Sequence, residues 1–188
     1  MKTKWSITKL AAAASIGAMF LVFGVLGSIV YSIVGFPGAS AIITSFTTPI
    51  MFALVVLLIR KFGAGTIAGL VYYTLGLPLG TGGGPGFLPK ILVGLVAGII
   101  ADAILLSLKN KEKIAAPAVA VASQLIIGLM VAGLCKLFSV PGIDKFISLF
   151  LKPITFIAAI IIGIIDGLVA YLIYNRLKNT AVVKRIQG

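Results

Sequence analysis

Two carboxylates, Asp102 and Asp166, stand inside otherwise apolar stretches of this chain. An ionised group held in hydrocarbon costs about 2.5–3.5 kcal/mol on insertion scales, so each must face a bundle interior, a watery cavity or a cationic partner. One use of such residues is proton or cation coupling. The other is structural, as hydrogen bonds between helices or to basic residues on the inner side. Their depth, in the half of the bundle that the topology below places inside, favours the structural use.

Rings, hydroxyls and an amide form a second set. Tyr72 and Tyr73, then Thr44, Ser45, Thr47 and Thr48, then Gln124, fall in the outer halves of apolar segments. Lys90 precedes Gly94 and Gly98 at i+4 steps, so a basic group overlooks a smooth helix face. Aromatic area with a few orienting polar groups is what a small-molecule pocket needs. Each residue also has a plainer role: Thr and Ser hydroxyls bond their own helix, tyrosines fill cores and interfaces, and Lys90 can snorkel to the outer surface.

Catalytic arrangements are missing. The chain has no histidine and one cysteine, Cys135, which excludes a Ser-His-Asp triad, a zinc helix of the H-E-x-x-H kind, an internal disulfide and a clustered His/Cys metal site. No phosphate-binding G-x-x-x-x-G-K-[ST] loop is present either, and Gly80 to Gly86 lacks the Lys-Ser/Thr helix start that phosphate cradling requires. The expectation is a non-enzyme with no catalytic residues, cofactor or metal.

The elements that carry these residues follow from composition. Of 188 residues 60% are hydrophobic and 11% charged, with mean hydropathy +1.20, far more apolar surface than a soluble domain buries. Apolar segments at roughly 9–35, 41–59, 64–80, 87–108, 115–139 and 153–174 predict a single all-α domain over residues 1–188, a polytopic membrane protein with six transmembrane helices. The third, about 17 residues or ~25 Å of helix, is marginal and is expected to end irregularly near Pro78. Leu10 to Val34 carries no charge and is too long for a signal peptide's apolar region, so the first segment reads as a retained span even though Ala39-Ser40-Ala41 could pass for a cleavage site.

The net charge of +12 would suit nucleic acid, but the 16 Lys and Arg fall between apolar blocks, as topology signals do, and no nucleic-acid partner is expected. With six spans, twelve of them lie on one side: Lys2, Lys4, Lys9, Arg60, Lys61, Lys109, Lys111, Lys113, Arg176, Lys178, Lys184 and Arg185. Only Lys90, Lys136, Lys145 and Lys152 lie on the other. The positive-inside rule therefore places both termini in the cytoplasm of a multi-pass cell-membrane protein, with Trp5 near the inner interface.

Small residues four apart mark faces where helix backbones can approach closely. Ala14 with Ala18, and Ala13 with Gly17, do so in the first span; Gly94 with Gly98 and Gly163 with Gly167 do so in the fourth and sixth. The first of these faces suits either an internal or an external partner, and the later two suit internal packing. Residues 76–90 form an outer connection unlike the others, with glycines to free the backbone and Pro78, Pro85 and Pro89 to stiffen it.

Six spans in under 200 residues, Ala14 and Ala18 near the inner end of the first, the Gly/Pro-rich hairpin Gly76 to Lys90 and the Gly94-x-x-x-Gly98 helix together resemble the S component of energy-coupling factor (ECF) vitamin importers. This is the prokaryotic plasma-membrane subunit that captures substrate. The resemblance covers most of the chain. It implies that Ala14 and Ala18 dock on a transmembrane coupling subunit, which rides on two cytoplasmic ATPase subunits. It also implies that residues 76–90, Gly82, Gly83 and Gly84 among them, form a lid over a vitamin-like substrate held with Tyr72, Tyr73, Thr48, Lys90 and Gln124. Ile59-Arg60-Lys61-Phe62-Gly63-Ala64 is similar to a turn in S components associated with thiamine precursors such as hydroxymethylpyrimidine, but the acidic residues usual in that group's next helices are not found in 64–80. Two rivals stand beside this reading: a self-sufficient carrier or channel using Asp102 and Asp166, and a membrane scaffold whose small-residue faces only hold partners.

Overall fold

Residues 51–57 offer no polar side, and a helix that is apolar all round belongs in an interior. The computed structural model, which describes residues 5–35, 39–109 and 111–187, places them there: all seven are buried. They belong to α2 (Ala41–Ile59), against which α1 (Ile7–Val34), α3 (Ala64–Leu75), α4 (Lys90–Ser107), α5 (Glu112–Leu137) and α7 (Pro153–Leu177) pack. A short α6 (Ile143–Phe150) lies between α5 and α7, and α8 (Ala181–Gln187) closes the chain. The described residues contain no strand, so the protein is all-α.

Four of these helices, α1, α4, α5 and α7, are long and apolar enough to cross a bilayer. One expected span is shorter. The helix α2 covers Ala41–Ile59 as expected, whereas α3 is a 12-residue helix rather than a span of 64–80. It stops at Leu75 because Gly76 weakens the helix and Pro78 disfavours helical backbone at Leu77. In the same way α4 begins at Lys90, directly after Pro89, and not at 87. Lys2, Lys4 and residues 36–38 of the uncharged 35–40 connection lie outside the described residues.

The helices meet through small residues and show large ones to the surroundings. Gly65 and Gly69 of α3 face Gly98 and Gly94 of α4: a methyl added to Gly94 would stand 2.5 Å from the Gly69 carbonyl oxygen, and one on Gly98 2.5 Å from Thr66 Cα. Gly17 of α1 has the Ala68 carbonyl against it, and Gly163 and Gly167 of α7 lie on Val121 and Pro117 of α5. The opposite faces carry apolar side chains such as Met19, 62% exposed, and Leu172, 61% exposed. Small-inside and large-outside is the pattern of a bundle surrounded by hydrocarbon, where close packing and not water exclusion holds helices together.

One end of the bundle gathers the start of α1, the last helix α8 and most of the basic side chains among the described residues. Lys9 donates to the Gln187 carbonyl at 3.3 Å, and the Gln187 amide reaches the Leu58 carbonyl at 3.1 Å. Arg60 pairs with Glu112, whose carboxylate also accepts from Tyr174 at 3.4 Å. Lys61 stacks its ammonium 5.1 Å over the Trp5 ring. Burial by its surroundings, then the positive charge of Lys9, lower the Lys61 ammonium from its ordinary range.

At this end Asp102 caps α3 from a different helix. Gly63, the residue before α3, has no side chain with which to satisfy the first N–H groups. Asp102 of α4 supplies that acceptor, taking the Gly65 N–H at 2.8 Å, the Thr66 N–H at 3.0 Å and the Thr66 hydroxyl at 2.8 Å. An anion at a helix N-terminus also meets the positive end of the helix dipole.

Removing this acceptor leaves buried donors unmatched, at about 1–3 kcal/mol per group. Asp102→Ala is therefore expected to lower the thermal unfolding midpoint of the purified protein, and Asp102→Asn, which keeps a carbonyl oxygen, to lower it less. Equal midpoints for Ala and parent would remove the cap from the fold's stability.

Candidate substrate-binding cavity

The opposite end of the bundle encloses a cavity of about 390 Å³, large enough for a small organic molecule. The first turns of α2 contribute Thr44, Ser45 and Thr48, and the last turn of α3 contributes Tyr72 and Tyr73. Gln124, Ile127, Gly128 and Val131 come from α5, and Thr155, Ala158, Ala159 and Ile162 from α7. Thr81 and Gly82 of the 76–89 connection complete one wall.

Four rings, Tyr72, Tyr73, Phe146 and Phe150, stand in a lining otherwise made of hydroxyl and aliphatic residues with Gln124. Tyr72 and Tyr73 meet edge to face, 5.0 Å between centroids. The Tyr72 hydroxyl is buried beside Thr48 without a hydrogen bond of full geometry. Phe146 and Phe150 of α6 stack at 5.5 Å, and Phe150 lies against Gly128, where any side chain would displace the ring. The polar groups are neutral. Thr44 donates to the Ser40 carbonyl at 3.1 Å, the backbone bonding expected of a membrane-helix threonine. Gln124 is half-buried and makes no hydrogen bond to any described residue.

Of the residues singled out from the sequence, Tyr72, Tyr73, Thr48, Gly82 and Gln124 meet at this cavity. Thr47 does not line it and donates instead to the Ile43 carbonyl at 3.3 Å. Gly83 packs on the Phe87 ring and Cys135, and Gly84 faces Tyr31, so both belong to the hairpin's own core. Ala14 and Ala18 sit half-buried in the first half of α1, beside the exposed Ala11, Ser15 and Met19, while Ala13 and Gly17 turn to the interior. Asp102 is the cap of α3. Asp166 is buried on α7, and one of its oxygens has no hydrogen-bond partner among the described residues.

Lys90 requires a correction, being neither a snorkelling cation nor part of the lining. It is 0% exposed, and its ammonium is encircled by five carbonyls of the hairpin: Gly76 at 3.1 Å, Leu77 at 3.3 Å, Leu79 at 2.8 Å, Thr81 at 3.1 Å and Gly84 at 2.9 Å. Three N–H bonds are shared among these oxygens, which stand in for the water an ammonium would otherwise hold. The hairpin folds around this charge. Gly80 donates to the Ser28 hydroxyl at 2.9 Å and lies under the Tyr31 ring, tying it to α1. At Gly83 the backbone has φ +123°, and a Cβ would meet the Phe87 ring and stand 2.9 Å from Cys135 Sγ.

Sequence reading did not find α6. Its signal was present: Ile143, Phe146, Ile147 and Phe150 recur at helical spacing, with Asp144, Lys145 and Ser148 on the other face. Eight residues between two long apolar runs were read as a plain connection. Thr81 and Thr155 were missed because an isolated threonine carries no pattern.

Lys90 gives the site a direct test. Each hydrogen bond to a charged group contributes about 1.5–3 kcal/mol, so losing even one raises local opening roughly tenfold or more. Cys135, the chain's single cysteine, is buried beneath Gly83. In Lys90→Met a maleimide is expected to label Cys135 at least about ten times faster than in the parent. Unchanged labelling would show that the carbonyl cage does not hold the hairpin down.

Compared with protein-family descriptions, curated proteins and solved structures, the chain matches none.

Proposed function

We propose that this chain is the substrate-capturing S component of an ATP-driven ECF importer in a prokaryotic plasma membrane, taking up a vitamin or related micronutrient. The observation that carries it is the division between two ends: a cavity with four rings in its lining under a Gly/Pro hairpin at one, and basic residues with the start of α1 and the helix α8 at the other. The positive-inside rule turns that division into an outward-facing pocket. In this reading the chain crosses the membrane six times. The short α3 is completed by residues 76–89, irregular backbone that hydrocarbon tolerates only where its polar groups find partners inside the protein. Lys90 provides such partners.

Ala14 and Ala18 then form the docking face for a transmembrane coupling subunit coupled to two cytoplasmic ATPase subunits. Half-buried small residues flanked by the exposed Ala11 and Ser15 leave a shallow strip on which another helix can lie closely. Transport by toppling would carry the outer connections through hydrocarbon. The hairpin is suited to this, because residues 76–89 carry no charge and the Lys90 ammonium is already enclosed. A thiamine precursor such as hydroxymethylpyrimidine fits the cavity's rings and neutral groups.

The unpartnered oxygen of Asp166 supports a second reading, a stand-alone proton- or cation-coupled carrier. Asp102 supports it less, since both of its oxygens accept hydrogen bonds. Counterflow in liposomes containing this chain alone, lost in Asp166→Asn, would favour the carrier.

Three results are expected of an S component. Small molecules that co-purify with the protein will include one ligand at about one per chain. Ala14→Trp with Ala18→Trp will abolish ATP-driven uptake while leaving ligand binding intact; loss of binding as well would make that face part of the fold. In a Cys135→Ala background, Lys111→Cys and Lys145→Cys will label from opposite sides of a sealed vesicle, and labelling from one side would break the six-span arrangement.

A further inference from the structure

We infer that the cavity selects an uncharged, flat nitrogen heterocycle, one edge of which pairs with the side-chain amide of Gln124. This rests on the capture reading above and narrows it to a chemical class.

Charge comes first. None of the described lining residues is ionisable apart from Tyr72 and Tyr73, whose phenols are neutral at ordinary pH. Phe36, Pro37, Gly38 and Ile42, close in sequence to the lining residues Ser40 and Ala41, carry no charge. Lys90 belongs to the hairpin that walls the cavity, but its ammonium is surrounded by five carbonyls and cannot meet a carboxylate or phosphate without dismantling them. Asp166 stands one turn beyond Ile162 on α7 and is not part of the lining. An ionic ligand would therefore lose its water and find no counter-charge, a penalty a neutral ligand avoids.

Shape and hydrogen bonding narrow the class further. Aromatic surface comes from α3, as the Tyr72–Tyr73 pair, and from α6, as the stacked Phe146–Phe150 pair. Such surface favours a planar ring system. Gln124 projects from α5 as a primary amide with no hydrogen bond to a described residue, so a C=O acceptor and an NH₂ donor stand side by side. An amide in that state pairs in two-point fashion with a ring edge bearing an adjacent donor and acceptor, as Gln does with the edge of adenine. The hydroxyls of Ser45, Thr81 and Thr155 remain for a substituent.

The test uses rings that exist in neutral and charged forms. Purified protein in nanodiscs would be titrated with nicotinamide, nicotinate and N-methylnicotinamide; with hydroxymethylpyrimidine and thiamine at pH 8; and with riboflavin and its phosphate. At least one neutral member is expected to bind, with its charged counterpart at least about 100-fold weaker. Gln124→Leu is expected to weaken that neutral ligand about tenfold or more, with Cys135 still protected from maleimide as the control for folding. A charged member that binds as tightly as its neutral counterpart overturns the inference and leaves the importer reading standing. Binding by no neutral member also overturns it, and the importer reading is then decided by uptake alone. Unchanged affinity in Gln124→Leu removes the amide's role.

Discussion

Buried backbone carbonyls beyond the end of a helix must be given donors, and in residues 76–84 one ammonium group supplies them. Lys90 draws the carbonyls of Gly76, Leu77, Leu79, Thr81 and Gly84 around a single point. That interaction fixes three things at once. It lets the chain leave α3 after 12 residues without stranding the carbonyls that follow the helix. It folds the hairpin over Cys135, and it sets Thr81 and Gly82 as a wall of the cavity. The charge and the polar backbone satisfy each other, so neither needs water or a carboxylate.

The same economy of polar groups runs through the helix seams. Where α3 meets α4 and where α5 meets α7, glycines bring backbones close enough that a methyl group would collide. Large side chains are thereby displaced outward, and the interior left at one end is a space with four rings in its lining. At the other end the polar requirement is met by ion pairing and capping: Arg60 with Glu112, and Asp102 across to α3. The bundle thus has an end with a cavity of uncharged lining and an end held by ion pairing and capping, with the apolar stretch 51–57 of α2 buried inside it.

Much of this was legible in the sequence because hydrocarbon leaves few choices. Long apolar runs announced the helices α1, α4, α5 and α7, and Gly94 with Gly98 announced a close seam. Tyr72, Tyr73, Thr48 and Gln124 were gathered from three segments on the strength of residue type and depth, and they do share one cavity. Their partners across the seams were harder. Gly65 and Gly69 were passed over because the third segment was weighed by its length. Lys90, expected among the substrate-binding residues, is held by the hairpin instead of lining the cavity, and nothing local in Gly76 to Gly84 says that five carbonyls will turn inward. Asp102 as the cap of a different helix is a tertiary fact that spacing along one chain does not encode.

The crossed cap has a consequence for how the chain is built into a membrane. A helix of 12 residues, about 18 Å long, has too little apolar length to be retained by a bilayer as an independent segment. Its first N–H groups are satisfied only once Asp102, 37 residues past Gly65, has been synthesised and brought back to it. The N-terminus of α3 is therefore completed only with α4 in place beside it, so the two helices depend on each other as one folding unit.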